Sequence, residues 1–140
     1  MKFSNNGYYC NRHSCFLLQY HLVLVTKYRK PVIVNQLEKR LYEYTKDYFE
    51  QQGCVLHEIN GESDHIHILF DAPPQINLAN FINAYKSASS RKMRNEFSSE
   101  LARYYWKPFF WSLSYFIACV SERSTEAVRN YIRNQKSSES

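Results

Sequence analysis

Apolar residues in the first third of the chain follow two different patterns. Residues 16–28 are rich in Leu, Val and Tyr, with few polar interruptions, which is typical of a strand buried on both faces. From Asn35 to Gln52 the apolar residues recur instead at helical spacing, and Gly53 follows as a helix terminator. The chain therefore opens with a predicted strand and a predicted helix.

Three more strands and two more helices follow in the pattern. The strands are predicted at residues 54–60, 65–71 and 111–120, and the helices after the N-cap Asn77 and over residues 125–136. Gly61 is placed in the turn between the first two of these strands. The last helix has few apolar positions, so we expect it to bury little surface on its own domain.

The order of these elements predicts an α+β fold. Strand, helix, strand, strand, helix, strand is the ferredoxin-like βαββαβ order, an antiparallel sheet with helices on one face, here followed by a C-terminal helix. We expect one domain over residues 1–140. Within it, residues 1–14 form an N-terminal arm, residues 124–136 the last helix and residues 137–140 a frayed tail.

Composition narrows the class of protein. With 44% hydrophobic and 16% aromatic residues, the chain is neither disordered nor collagen-like nor a coiled coil. Eighteen basic against 13 acidic residues give a net charge of +5, which favours an acidic partner without identifying it. No apolar run is long enough to span a membrane and no secretion signal is evident, so we expect a cytoplasmic protein. Its four cysteines are then expected to be free thiols, namely Cys10, Cys15, Cys54 and Cys119.

The first candidate for chemistry is the histidine pair in the third predicted strand. Side chains alternate along a strand, so His65 and His67 share one face and can chelate one metal ion, unless the pair is a coincidence of composition. Leu69 occupies the next position on that face, which argues against nucleotide hydrolases with three alternating histidines. His21, in the middle of the first strand, is interpreted as a core histidine or as one that supports metal ligands.

The second candidate is a tyrosine on the last predicted helix. Tyr131 and Gln135 are four residues apart and lie on one helical face. The phenol can act as a nucleophile and the amide oxygen as a neutral metal ligand. A Tyr/Gln pair on a helix is also ordinary packing or solvated surface, so the spacing alone leaves both readings open.

The third candidate is a set of basic and hydroxyl residues in two short stretches, which suits contacts to phosphates. The residues predicted to contact nucleic acid are Lys27, Arg29, Lys30, Lys86, Ser87, Ser90, Arg91 and Arg94. The alternative is an ordinary solvated helix face. The aromatic stretch Tyr104–Trp111 is suited either to stacking on unpaired bases or to a core or dimer contact.

Together these motifs resemble the single-tyrosine HUH transposases of the insertion-sequence 200/605 family, in which HUH denotes His–hydrophobic–His. The likeness rests on Asp64-His65-Ile66-His67-Ile68-Leu69 and on Tyr131-Ile132-x-Asn134-Gln135. The opening strand with its basic turn, the basic helix and the strand before the last helix extend it over nearly the whole chain. The combination is specific, although each motif alone is not.

The resemblance implies a metal-dependent single-stranded DNA endonuclease and strand transferase. Its substrate would be the ends of an insertion element, folded into subterminal hairpins. His65, His67 and Gln135 would hold one Mg²⁺ or Mn²⁺, and Tyr131 would attack the scissile phosphate to give a 5′-phosphotyrosine and a free 3′-hydroxyl. The 3′-hydroxyl of another strand would reverse the step.

The resemblance also implies a homodimer in which the tyrosine helix of one subunit completes the histidine site of the other. Two other hypotheses remain at this point. One is a non-enzymatic nucleic-acid-binding module with a ferredoxin-like sheet, whose binding would ignore metal. The other is a domesticated relative that only nicks DNA at genomic repeats.

Overall fold

The main helices and strands of the structure occur in the order that the sequence predicts. The structure, a computed structural model, describes residues 8–10, 12–120 and 129–134. In chain order the elements are β1 (Tyr9–Cys10), β2 (Cys15–Phe16), β3 (Gln19–Val25), α1 (Asn35–Gln51), β4 (Val55–Glu62), β5 (His65–Asp71), α2 (Leu78–Glu96), α3 (Ser98–Ala102) and β6 (Phe116–Cys119). Residues 129–134, here called the C-terminal segment, are helical. The prediction of an α+β protein with an antiparallel sheet is confirmed.

Four of the strands form one antiparallel sheet in the order β4-β5-β3-β6. On one face of its central strands, Leu22, Ile68 and Phe70 are fully buried in a core that also takes side chains from α1 and α2. Phe49 of α1 meets Phe70 edge to face, with ring centres 5.0 Å apart. We call this the helix-covered face.

The other face holds a smaller apolar cluster. Val23 and Val25 of β3 are buried there, and Tyr131 and Ile132 of the C-terminal segment pack against them. Each valine lies directly opposite one histidine of β5, Val23 opposite His67 and Val25 opposite His65. Directly opposite residues point to the same side of a sheet. We call this side the histidine face.

The predicted helix ends are largely confirmed. The Asn77 side chain accepts a hydrogen bond from the backbone N–H of Asn80 at 3.1 Å, as an N-cap does. Gly53 follows α1 with a φ of 87°, a backbone conformation that favours glycine. Residues 129–134 fall inside the predicted last helix, whose other residues lie outside the described part of the chain.

The first and last strands are shorter than the sequence predicted. β3 ends at Val25, and Lys27–Arg29 form a 3₁₀ turn in which Tyr28 and Arg29 have φ values of 58° and 52°. β6 contains four residues, because the chain before it makes only an isolated bridge between Trp111 and Thr26. Runs of apolar residues indicate buried segments, but they do not distinguish a hydrogen-bonded strand from a loop that packs on the core.

The prediction that Gly61 lies in a turn is wrong. Gly61 belongs to β4, opposite Ile66, and the strands connect after Glu62. A Cβ at this position would lie 2.2 Å from the backbone oxygen of His65 and 2.9 Å from the Cα of Ile66. Glycine is therefore needed for the close approach of the two backbones beside the first histidine.

The prediction of four free thiols is wrong for two of them. Cys10 and Cys15 face each other in the β1–β2 hairpin, with Cα atoms 4.0 Å apart, and form a disulfide. Hairpin register brings these two residues together, and a search for CxxC spacing does not detect it. Cys54, which is buried, and Cys119, which is exposed, are free.

The hairpin lies partly in the range predicted as an arm, and it is not only polar. Tyr9 is 4% exposed, and its hydroxyl donates a hydrogen bond to the buried carboxylate of Asp71. The division into arm, domain and tail stays a prediction. Among the helices of the described residues, none combines the length and the apolar character that a membrane crossing requires.

Candidate metal and tyrosine site

The site is built on the histidine face of β5. Strand alternation sends Ile66 and Ile68 into the core, where both are fully buried, and sends His65 and His67 to the opposite side. His65 is 8% exposed and lies opposite Glu62 of β4, while the half-buried His67 lies opposite Asn60.

A carboxylate orients the first histidine. His65 Nδ1 lies 2.9 Å from one oxygen of Asp64, and Arg29 contacts the other oxygen through Nε at 3.0 Å and a terminal nitrogen at 2.9 Å. Burial alone would raise the pKa of Asp64, but its hydrogen bonds to His65 and Arg29 and the guanidinium charge outweigh burial and lower it. An ionised Asp64 accepts the Nδ1 proton, so Nε2 of His65 carries the lone pair that a metal needs.

Carboxylates lie close enough to His65 to share a cation with it. One potential ligand atom from each of Glu62, Asp64 and His65 lies within 4.8 Å of the other two. Imidazole and carboxylate together form a donor set that suits a divalent ion such as Mn²⁺. The residues present therefore fit a divalent metal at this end of β5.

The second histidine is engaged with a third. His67 Nε2 lies 2.7 Å from Nδ1 of His21 on β3, and the two rings stack with centres 4.9 Å apart and planes 20° apart. Burial lowers the pKa of His67, and the neighbouring His21 lowers it further, so His67 is neutral near pH 7. Neutral imidazole is the form that ligates metals.

Tyr131 lies on the same side of the sheet in the same chain. Its ring packs on Val23 and Val25 and tilts against Phe116 of β6, with ring centres 5.2 Å apart. Its hydroxyl is 3.0 Å from the hydroxyl oxygen of Ser114. The other predicted ligand, Gln135, lies outside the described residues.

Four of the eight predicted DNA contacts, namely Lys27, Lys86, Ser87 and Ser90, line one surface pocket beside α2. Lys86 Nζ donates to the backbone oxygens of Ser112 at 2.8 Å and Leu113 at 3.0 Å, so it holds the stretch before β6. Lys27 is 6% exposed, and its Nζ lies 4.7 Å from the centre of the Phe109 ring. One surface pocket of about 460 Å³ is lined in part by Lys27, Lys86, Ser87, Ser90, Phe109 and Trp111.

The other four predicted contacts do not line this pocket. Arg29 pairs with Asp64, and Lys30 is half-buried in the same turn. Arg91 is exposed on α2, and Arg94 donates to Ser90 Oγ at 3.2 Å. The role of all these residues in DNA contact stays a prediction.

Sequence reasoning missed several groups at this site. The Arg29–Asp64–His65 chain of contacts depends on a turn with unusual φ values, which leaves no simple pattern in the sequence. The pairing of Glu62 with His65 could have been found by counting back from a tight hairpin turn. Nothing in the sequence indicates that Ser114 meets Tyr131.

Comparisons with known proteins agree with one another. The family described as Transposase IS200 like matches residues 14–135. The ISDra2 transposase TnpA of Deinococcus radiodurans is 32% identical over 124 residues, which are 89% of this chain and 88% of that protein. The transposase for insertion sequence element IS200 of Salmonella typhimurium is 25% identical over 123 residues, 88% of this chain and 80% of the relative.

A solved structure is similar over almost its whole length. It is the crystal structure of a candidate transposase from Deinococcus radiodurans, with a TM-score of 0.84 and 33% sequence identity. The match covers 91% of this chain and 98% of that one.

Proposed function

The chain belongs to the IS200-like transposase family, and on that premise we propose that it cleaves and rejoins single-stranded DNA at insertion-element ends. The observation that carries the proposal is that Tyr131 packs on the sheet face to which His65 and His67 belong. A phenol and two imidazoles on one surface are the groups that a metal-dependent tyrosine endonuclease needs.

His65, His67 and Gln135 would hold one Mg²⁺ or Mn²⁺, which when bound acts as a Lewis acid on the scissile phosphate. Asp64, itself paired with Arg29, keeps His65 in the tautomer that offers Nε2. The Tyr131 oxygen attacks phosphorus while the bond to the 3′-oxygen breaks. The phenol loses its proton, the departing 3′-oxygen gains one, and the phosphodiester energy is kept in a 5′-phosphotyrosine.

In the same proposal the fold is a ferredoxin-like sheet with a C-terminal tyrosine helix. The strand order β4-β5-β3-β6 supports the first part, and the helical residues 129–134 on the histidine face support the second. The protein acts as a homodimer. Packing of Tyr131 on its own chain describes the resting position, and exchange of the C-terminal segment between subunits is the expected active arrangement.

The proposed substrate is a single strand whose subterminal hairpins the protein binds. Support comes from the net charge of +5 and from the pocket that brings Lys27 and Lys86 beside aromatic rings. Exposed cations such as Arg91 would contact the phosphates and the exposed ring of Trp106 would stack on unpaired bases, so binding should weaken as salt concentration rises.

The test uses single-stranded oligonucleotides from the ends of the element that encodes the protein, with Mn²⁺ or Mg²⁺. We expect a protein–DNA adduct that survives denaturant, and we expect Tyr131→Phe to reduce it more than about 1,000-fold. Tyr42→Phe, on α1 and packed on the core of the helix-covered face, is the matched control and should form the adduct normally.

An undiminished adduct with Tyr131→Phe would refute the assignment of the nucleophile. Salt-sensitive DNA binding with no adduct under any divalent ion would favour the non-enzymatic binding module instead.

A further inference from the structure

The carboxylate of Glu62 lies beside the first histidine at the turn of the β4–β5 hairpin, outside the His–hydrophobic–His motif. We propose that Glu62 is an oxygen ligand of the divalent ion, so that the neighbouring strand contributes one donor to the site. The inference rests on the proposed function, because it concerns the metal of that site. It adds an anionic ligand to a proposed set that otherwise consists of two imidazoles and an amide.

The register of the hairpin is the first argument. Glu62 and His65 lie directly opposite each other, so both side chains leave the sheet on the histidine face. At the preceding residue, Gly61, the two backbones approach so closely that a Cβ would lie 2.2 Å from the backbone oxygen of His65. Strand pairing, and not a loop, therefore places Glu62 next to the first histidine.

The distance between the donor atoms is the second argument. One potential ligand atom each from Glu62, Asp64 and His65 lies within 4.8 Å of the other two. Two atoms that bind one ion at about 2.1 Å and at a right angle lie about 3.0 Å apart. Because Glu62 is exposed on the edge strand of the sheet, rotation about its side-chain bonds can close the remaining distance.

The two carboxylates near His65 differ in what already holds them. Asp64 accepts from Nδ1 of His65 through one oxygen, and Arg29 contacts its other oxygen. Within the described part of the chain, no side chain forms an ion pair or a hydrogen bond with the Glu62 carboxylate. Asp64 therefore orients the imidazole, which is 8% exposed and keeps its Nε2 lone pair for a ligand, and Glu62 is the carboxylate that remains available to the ion.

The charge of the site is the third argument. Two neutral imidazoles and an amide bring no negative charge to a divalent ion, and the charge of Asp64 is already paired with that of Arg29. Mg²⁺ and Mn²⁺ both favour carboxylate, carbonyl and water oxygens as ligands. A carboxylate from Glu62 gives the site the anionic oxygen donor that suits either ion.

The experiment titrates Mn²⁺ into the full chain by calorimetry and counts Mn²⁺-bound waters by deuterium electron spin-echo spectroscopy. Wild type is compared with Glu62→Gln, with Glu62→Ala and with Glu58→Gln. The last variant is the matched control, because it removes an equal charge from another exposed position of β4, one whose charge acts on His67.

We expect both Glu62 variants to raise the Kd for Mn²⁺ on the order of 10–100-fold. Glu58→Gln should raise it by less than about 5-fold, because a charge that does not touch the ion acts through solvent. In Glu62→Ala a water should take the vacated coordination position, so we expect one more Mn²⁺-bound water than in wild type.

The water count is the decisive readout, because an exposed carboxylate that acts only by its charge would leave it unchanged. An unaltered count in Glu62→Ala, or equal losses of affinity in Glu62→Gln and Glu58→Gln, would overturn the inference. So would a wild type that takes up no Mn²⁺.

Failure of this inference is distinguishable from failure of the proposed function. If wild type forms the Tyr131 adduct while Glu62→Ala leaves the water count unaltered, only the role of Glu62 is wrong. If the water count shows that Glu62 binds Mn²⁺ but wild type forms no adduct, the metal ligand stands and the proposed DNA chemistry falls.

Discussion

The two faces of the sheet differ in what covers them and in which side chains they carry. The helix-covered face is closed by aromatic rings that meet edge to face, such as Phe49 against Phe81 with centres 4.8 Å apart. Among the described residues, the buried apolar cluster of the histidine face consists of Val23 and Val25, under a helical segment of few apolar residues. The side chains of both faces belong to the same strands, which point alternately to one side and to the other.

Strand alternation therefore places the residues that stabilise the core on one face of the sheet and the residues of the proposed chemistry on the other. Ile66 and Ile68 are fully buried on one side, while His65 and His67 point to the other. A change at one position of β5 should therefore affect the core, and a change at the next position should affect the site.

The largest expected effect sets His67→Ala against Ile68→Ala. Loss of the imidazole should reduce adduct formation about 100- to 1,000-fold with little change in Tm, because it removes a proposed metal ligand from a half-buried position. Ile68→Ala should lower the free energy of unfolding by about 2–5 kcal/mol, since it leaves a cavity in the core.

Adduct assays and denaturant titrations on both variants check this pair. A core variant that loses activity while it remains fully folded, or a histidine variant that unfolds, would show that the faces are not separable.

The next largest effect concerns the hairpin of β4 and β5, in which Gly61 lies beside the first histidine. Gly61→Ala should destabilise the protein by more than about 2 kcal/mol, because its Cβ would collide with the backbone of His65 and Ile66. Gly53→Ala is the control. It is strained by its positive φ, yet its Cβ would lie 3.7 Å from Pro73, so we expect a cost of about 1 kcal/mol.

Thermal unfolding and Mn²⁺ binding measure the two glycine variants. Equal losses of stability, or unaltered Mn²⁺ binding with a destabilised Gly61→Ala, would contradict the view that this close approach positions His65.

The smallest expected effect concerns Lys86, whose Nζ donates hydrogen bonds from α2 to backbone oxygens of the stretch that carries Ser114. Burial lowers the pKa of Lys86 to about 8. The folded chain then releases this proton near pH 8 and the unfolded chain near pH 10.4, so the unfolded state binds more protons between these values. The contribution of Lys86 to stability therefore rises with pH in that window.

We expect wild type to gain stability relative to Lys86→Met between pH 8 and 10, by less than about 1 kcal/mol after solvent screening of a half-buried amine. Denaturant titrations at several pH values measure it. Lys92→Met, on the same helix and paired with Glu96, should show no such trend. A difference that does not change with pH would contradict the lowered pKa.

Much of the candidate site was accessible to sequence reasoning, because its spacing is local. His65 and His67 share a face by the two-residue period of a strand, and that placement is confirmed. The role proposed for Tyr131 came from the family resemblance, but its helical position was predicted from spacing and is confirmed. Both conclusions need only the repeat of a single element.

Other parts depend on which residues of different elements face one another. Apolar runs located the strands, but Gly61 was placed in a turn because register was unknown. Cys10 and Cys15 were expected to be free thiols because no secretion signal is evident, and only hairpin register pairs them. One residue of register moves every side chain to the other face, and no single strand contains that information.

From its sequence alone this chain was determined to be an α+β protein with a His–hydrophobic–His strand, a distant tyrosine and a basic surface. Only the tertiary structure decided that His21 meets His67, that Asp64 bridges Arg29 and His65, and that Tyr131 rests on its own sheet. The physical reason is that periodicity follows from the backbone geometry of one element. Contacts across strands follow from turn length and register, which packing of the whole domain selects.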